Sequence, residues 1–141
     1  RDINHKKINI KINDLEFKDG FAVNVGNPHI VFFVDDCFKY DLKKVGPLIE
    51  KYELFPEKIN VTFAQIKDSS NILVNVWERG AGLTKACGTA ACATGVVAFE
   101  KKLSGNNTNI HFKEGLLNIN YNSVISMTGP VSDIKEIQIK L

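Results

Sequence analysis

The chemistry in this chain is concentrated in one stretch, ERGAGLTKACGTAACATGVVAFE, from Glu78 to Glu100. Cys87 is followed by Gly88 and Thr89, and from Ala90 to Phe99 no side chain is charged. That run reads as a buried helix beginning near Cys87. At such a start the amides of Gly88, Thr89 and Ala90 lack intrahelical partners. The partial positive charge of a helix N-terminus shifts a thiol placed there toward thiolate. The same amides make a seat for a carboxylate or a developing oxyanion. A base beside an anion seat suits chemistry next to a carboxylate. The alternative for Cys87 is a small buried hydrophobe, the ordinary fate of a free cysteine, and position alone leaves both open. Cys92, inside the helix, is expected to pack; Cys37, after Asp35-Asp36, is assigned nothing.

Other polar residues flank this centre. Glu78-Arg79 precedes the glycine loop that presents Cys87. Adjacent charges are ordinarily a solvated pair, but at the mouth of this loop substrate contact is the competing reading. Gly80, Gly82 and Gly88 give the approach conformational freedom. In GNPH, Asn27 and His29 stand just before an apolar strand, where a histidine is more often satisfied by its neighbours than catalytic. Asn60 is a strand-start asparagine to which the residues alone assign no function.

The elements that must position these groups are legible in outline. Ile8, Ile10 and Ile12 alternate with polar residues, the period of a half-buried strand, and Asp19-Gly20 marks a turn with FAVNV as hairpin partner. IVFFV (Ile30 to Val34) is continuous and apolar, a strand covered on both faces. Leu42, Val45, Ile49 and Tyr52 have helical spacing, with a break or a fresh start expected at Gly46-Pro47. VTFAQIK and NILVNVW form a hairpin through Asp68-Ser69-Ser70. NIHFK, LLNINY and VISMT are short strands separated by Glu114-Gly115 and Asn122-Ser123 and followed by Gly129-Pro130, and a last strand lies within VSDIKEIQIKL.

A helix apolar all round must be enclosed, and strands are what is available to enclose it. The expectation is one α+β domain over residues 1–141, an antiparallel β-sheet or barrel wrapped around a central buried helix, with a second, amphipathic helix outside.

Composition excludes several classes. The 141 residues are 44% hydrophobic and 24% charged, ordinary globular usage. A formal charge of +2 with scattered Lys and Arg argues against nucleic acid. Three cysteines without a Cys-x-x-Cys pair make no disulfide framework, and His5, His29 and His111 match no zinc spacing. A reducing, cytoplasmic compartment is favoured. No apolar run reaches the roughly 18–20 residues that span a bilayer, so no membrane partner is expected. The chain opens with Arg and enters a strand pattern within a few residues, as a piece of a longer protein would.

GNPH (Gly26 to His29), LFPEKINV (Leu54 to Val61), WERGAG (Trp77 to Gly82), ACGTAACA (Ala86 to Ala93) and MTGP (Met127 to Pro130) occur in one order. Together they resemble the C-terminal half of the diaminopimelate epimerase family, over nearly the whole chain; ERGAG followed closely by ACGT is the specific part. The resemblance implies two similar domains, each with strands around a central helix in a hot-dog-like half, and a site in the cleft between them. It implies epimerisation of LL- and meso-diaminopimelate without pyridoxal phosphate or any other cofactor, in lysine and peptidoglycan precursor biosynthesis. One cysteine takes the α-proton and another returns one on the opposite face.

Cys87 matches the second of these cysteines; the first belongs to an N-terminal half that is the expected partner of this one. Gly88 and Thr89 match positions whose amides hold the reacting carboxylate. Glu78 matches a residue that contacts substrate and supports the thiols. Arg79, Asn27 and Asn60 match binding positions, Arg79 being suited to the distal carboxylate, and His29 matches a histidine that assists the cysteine pair. No metal is implied. Leu83 stands where the family usually has Glu, and Ala90 where Gly or a second small residue is common; neither removes a functional position. The alternatives are a proline-racemase-like or phenazine-biosynthesis-like isomerase of the same fold, or a non-catalytic carboxylate-binding domain. Oligomeric state, a homodimer included, is left open.

Overall fold

The computed structural model of the chain describes residues 2–3, 7–12, 14–83, 87–113, 115–122, 124–128 and 136–140. Among them, eleven strands form one sheet and two helices cover its opposite faces.

The first half is built around β4 (Pro28–Phe33). It pairs antiparallel with β3 (Leu15–Asn24) and parallel with β5 (Asn60–Asp68). Alternate residues face opposite sides of a strand, and here both sides are core. Val31 joins the cluster around the second helix, while Ile30 and Phe32 join the cluster under the first. This is the strand covered on both faces that the apolar run predicts.

β2 (Ile8–Ile12) pairs with β3, but its partner residues are 15–20 rather than 21–25. Asp19-Gly20 is therefore no hairpin turn. Asp19 takes a positive φ of 61° where the β2–β3 register shifts, and its N–H donates to Asn9 Oδ1 at 3.1 Å. The pair forms a bulge, the other structure that an Asp-Gly signal can mark. The Phe32 ring, opposite Gly20 in register, occupies the space a Cβ would need there.

Helix α1 (Leu42–Glu50) connects β4 to β5 and makes their parallel pairing possible. Asp41 caps it, Oδ1 accepting from the Lys43 N–H at 3.1 Å. The expected break at Gly46-Pro47 does not occur, because Pro47 lies inside a continuous helix. Packing overrides propensity there. Gly46 lets α1 sit directly on Trp77, whose ring would clash with a Cβ at that position. Beneath α1, the rings of Phe17, Phe32, Tyr40 and Phe63 cluster with centroids 5.1 to 6.1 Å apart, Phe17 and Phe63 stacked and the other pairs tilted or edge-on.

β5 and β6 (Asn71–Glu78) form the expected hairpin. Ser70 N–H donates to Asp68 Oδ1 at 2.8 Å in its turn. After β6 come β7 (Gly82–Leu83) and then α2 (Gly88–Glu100), which crosses to β8 (Asn107–Phe112), parallel to β6. The sheet is thus mainly antiparallel, with two parallel joins, one at each helix. β9 (Gly115–Asn122), β10 (Val124–Thr128) and β11 (Glu136–Lys140) complete it as an antiparallel meander. Glu114, Ser123 and Gly129-Pro130, singled out as turn signals, lie outside the described residues, as does His5.

α2 is the axle. Nine consecutive residues, Ala90 to Ala98, are buried, and the helix lies against β3, β4, β5, β8, β9 and β10. Its buried hydroxyl, on Thr94, donates to the Ala90 carbonyl at 2.8 Å and so is not stranded. Small residues set the approach distance. A Cβ at Gly95 would lie 2.8 Å from Ile119 Cγ2 and 3.2 Å from its Cβ.

Candidate functional site

One end of the sheet gathers four separate pieces of chain. The loop after β3 carries Asn27. The starts of the parallel strands β4 and β5 bring His29 and Asn60 into register beside each other. β6 ends at Glu78 with Arg79 just beyond it, and Cys87 caps the start of α2.

Cys87 is the N-cap of α2, with extended backbone (φ −129°, ψ 111°) and a side chain that caps nothing. The first helical hydrogen bond runs from the Ala91 N–H to the Cys87 carbonyl at 3.0 Å. The amides of Gly88, Thr89 and Ala90 consequently have no carbonyl to meet within the helix. The thiol residue is only 7% exposed. Met127, from the MTGP motif, packs over this turn; a Cβ at Gly88 would stand 2.8 Å from its Cε.

A chain of polar contacts runs inward from the thiol. Thr89 Oγ1 lies 3.5 Å from Cys87 Sγ, Asn27 Nδ2 donates to Thr89 Oγ1 at 3.4 Å, and Asn27 Oδ1 faces His29 Nε2 at 3.0 Å. His29 is fully buried. Burial first, and the nearby positive charge of Arg79 second, push its pKa down to about 4, so the imidazole is neutral near pH 7. Its Nδ1 is buried without a hydrogen-bond partner, so its single proton belongs on Nε2, facing the Asn27 carbonyl oxygen.

Asn60 explains itself here. Its Nδ2 donates to the Pro28 carbonyl at 2.8 Å and its Oδ1 accepts from the Arg79 amide at 2.6 Å. A strand-start asparagine without a legible role thus ties the start of β4 to the loop after β6. Arg79 is steadied further by Nη1 donating to the Glu57 carbonyl at 3.1 Å. Positive φ values of 78° at Gly80 and 86° at Gly82 turn the chain back, with Glu78 and Gly82 paired across the turn. A groove of about 810 Å³ borders this network through Pro28 and Glu57.

Cys87, Thr89, Asn27 and His29 are therefore joined side chain to side chain, and Asn60 and Arg79 are joined to them through the backbone of Pro28 and Arg79. Gly88 opens the helix that carries the thiol. Glu78 is half-buried beside Arg79, and among the described residues its carboxylate makes no hydrogen bond. The other thiols are set apart. Burial, with the charge of Asp36 second, pushes Cys37 up to about 11; burial, with the neighbouring Cys87 second, pushes Cys92 up to about 12.

Sequence reasoning missed one supporting group. Trp77 Nε1 donates to Glu50 Oε1 at 2.8 Å, with Glu50 only 5% exposed. The indole is seated between Gly46 of α1 and Gly82 of β7. The Gly-Pro pair within a helical pattern was the available signal, since a glycine there implies close approach. Among the described residues no three His, Cys, Asp or Glu gather to hold a metal, and no helix is long and apolar enough to cross a membrane.

The family model described as diaminopimelate epimerase matches residues 21–134. A diaminopimelate epimerase of Pelagibacter ubique is 56% identical over 131 residues, covering 92% of this chain and 48% of that protein. One from Erythrobacter litoralis is 47% identical over 114 residues, covering 79% of this chain and 42% of its own length. The chain thus spans about half the length of the relatives it matches. Among solved structures, a phenazine biosynthesis PhzF-family protein of Enterococcus faecalis aligns with a TM-score of 0.55 at 14% identity, over 77% of this chain and 42% of that one. A Bacillus anthracis PhzF-family protein aligns at 0.54 and 19%, over 74% and 36%. At those identities the likeness is one of fold.

Proposed function

The chain belongs to the diaminopimelate epimerase family, and from that premise we propose that it is the C-terminal half of an epimerase interconverting LL- and meso-diaminopimelate. The observation that carries this reading is the Cys87 thiol at the mouth of α2, beside amides without helical partners and linked through the Thr89 hydroxyl to Asn27 and then His29.

In this reading the Cys87 thiolate takes the α-proton. An S–H bond forms as the C–H bond breaks, and the electron pair spreads from the α-carbon toward the carboxylate. The Gly88 and Thr89 amides hold that carboxylate, and their fixed dipoles meet the growing charge at no reorganisation cost. A second cysteine, from the N-terminal half, delivers a proton to the opposite face; the reverse reaction exchanges the roles. No cofactor takes part. Arg79 receives the distal carboxylate, with guanidinium N–H groups to spare beyond the one given to Glu57. Asn27 and Asn60 complete the binding wall, and Glu78 contacts substrate and supports the thiols. His29, neutral and buried, assists through Asn27 rather than as a cation. The product serves lysine and peptidoglycan precursor synthesis. A free thiol base suits a reducing, cytoplasmic compartment.

The test uses the intact two-domain enzyme in deuterated water. Cys87→Ala is expected to abolish interconversion of the two isomers, and interconversion retained in that variant would sink the mechanism. A carboxylate-binding domain without turnover would instead bind diaminopimelate equally with or without the thiol and exchange no α-proton. The 141-residue chain alone is expected to exchange none, since half of the proposed site is contributed from elsewhere.

A further inference from the structure

We propose that the Thr89 hydroxyl, beyond its backbone amide, is a catalytic group: it is the hydrogen-bond partner of the Cys87 sulfur in both protonation states. Its use in turnover rests on the epimerase reading above; the contact itself does not.

A two-base epimerase asks opposite things of one thiol. In one direction Cys87 begins as thiolate and ends as thiol, and in the other it begins as thiol. A partner that only donates would favour the thiolate and slow the return; one that only accepts would do the reverse. A hydroxyl does both.

The geometry supplies one at the right place. Thr89 Oγ1 is 3.5 Å from Sγ, and either atom can be the donor. Asn27 Nδ2 takes up one oxygen lone pair, leaving the Thr89 proton and a second lone pair for the sulfur. Toward thiolate, the O–H donates to sulfur. Toward thiol, the hydroxyl rotates and accepts the S–H. No heavy atom moves, the proton taken from substrate stays on sulfur, and Thr89 gains and loses none.

Asn27 is the positioning residue for this hydroxyl and His29 for Asn27. Nε2–H donates to Asn27 Oδ1, which turns the NH₂ end of the amide toward Thr89. Were the amide reversed, two N–H groups would face each other at 3.0 Å. The titratable groups linked to the thiol are Cys92 along α2, His29 on β4 through Asn27 and Thr89, and, acting on His29, Arg79 after β6; Glu78 ends β6 beside Arg79.

The test is the pH profile of Cys87 alkylation by iodoacetamide in the 141-residue chain, followed by mass spectrometry. Cys37 and Cys92, buried and held as thiols, stay silent near neutrality. Thr89→Val is expected to move the midpoint up by about one pH unit and to slow alkylation below it roughly tenfold, the size of one hydrogen bond to a charged atom. Thr89→Ser is expected to keep the wild-type profile. Thr89→Ala removes the hydroxyl with less bulk and gives the same reading if valine disturbs packing. An unchanged profile in both Val and Ala variants, or a serine variant that behaves like valine, overturns the proposal. The alkylation needs no turnover, so Thr89 and the epimerase reading can fail separately.

Discussion

Cys87, Thr89, Asn27 and His29 show how little of a residue's chemistry lies in its type. A cysteine at a helix start and a cysteine five residues along the same helix have identical side chains. Only the first has a hydroxyl beside it and amides without helical partners, and the second is driven to about 12 by burial. His29 is a depressed base for the same reason. Its folded pKa of about 4 lies below the ordinary 6.5, so the unfolded chain binds the extra proton. Stability held at neutral pH is therefore lost as pH falls from about 6.5 toward 4, by up to about 3 kcal/mol for this one group. Urea midpoints taken at neutral pH and near pH 4.5 are expected to fall by more in the wild type than in His29→Gln. Equal falls would mean that other groups carry the acid sensitivity.

At the scale of elements, the helices do the positioning. α2 depends on close approach to β9, so Gly95→Ala is a sharp probe. Alanine gains about 1 kcal/mol of helix propensity but drives a methyl to within 2.8 Å of Ile119. The crowding is expected to win, with a net loss of about 1–2 kcal/mol in a denaturant titration. α1 holds the other side of the site through Trp77 and Glu50. Trp77→Phe leaves a buried carboxylate short of its donor and is expected to cost about 1–3 kcal/mol. Because the two residues share one bond, Trp77→Phe combined with Glu50→Leu is expected to cost less than the two single changes summed. Strict additivity would show that the bond contributes nothing.

For the molecule as a whole, the site sits at an end of the sheet, where loops and strand starts from distant parts of the chain meet. The two parallel joins cause this. Each helix crosses over and returns the next strand in the same direction, so the starts of β4 and β5 lie together and the end of β6 beside them. In the proposed enzyme this end faces the second half. Adding the N-terminal half as a separate polypeptide is then expected to restore α-proton exchange to the 141-residue chain, and Cys87→Ala in the mixture to remove it again.

What could be read without a structure was whatever depends on local pattern: strands with period two, an enclosed apolar helix, a thiol at that helix's first turn, and motifs specific enough to match a family. These are legible because hydrophobic periodicity and helix-end chemistry act over a few residues. The rest needed packing between residues far apart in sequence. Asp19-Gly20 became a bulge because register with β2 decided it, and Pro47 stayed within α1 because Gly46 lies against Trp77. Asn60 acquired a role only when Pro28 and Arg79 arrived at its two ends. The sequence by itself determined the local patterns and the candidate groups; the tertiary structure decided which of them touch, because contacts such as Asn27 with Thr89, sixty-two residues apart, exist only once the sheet has packed around α2.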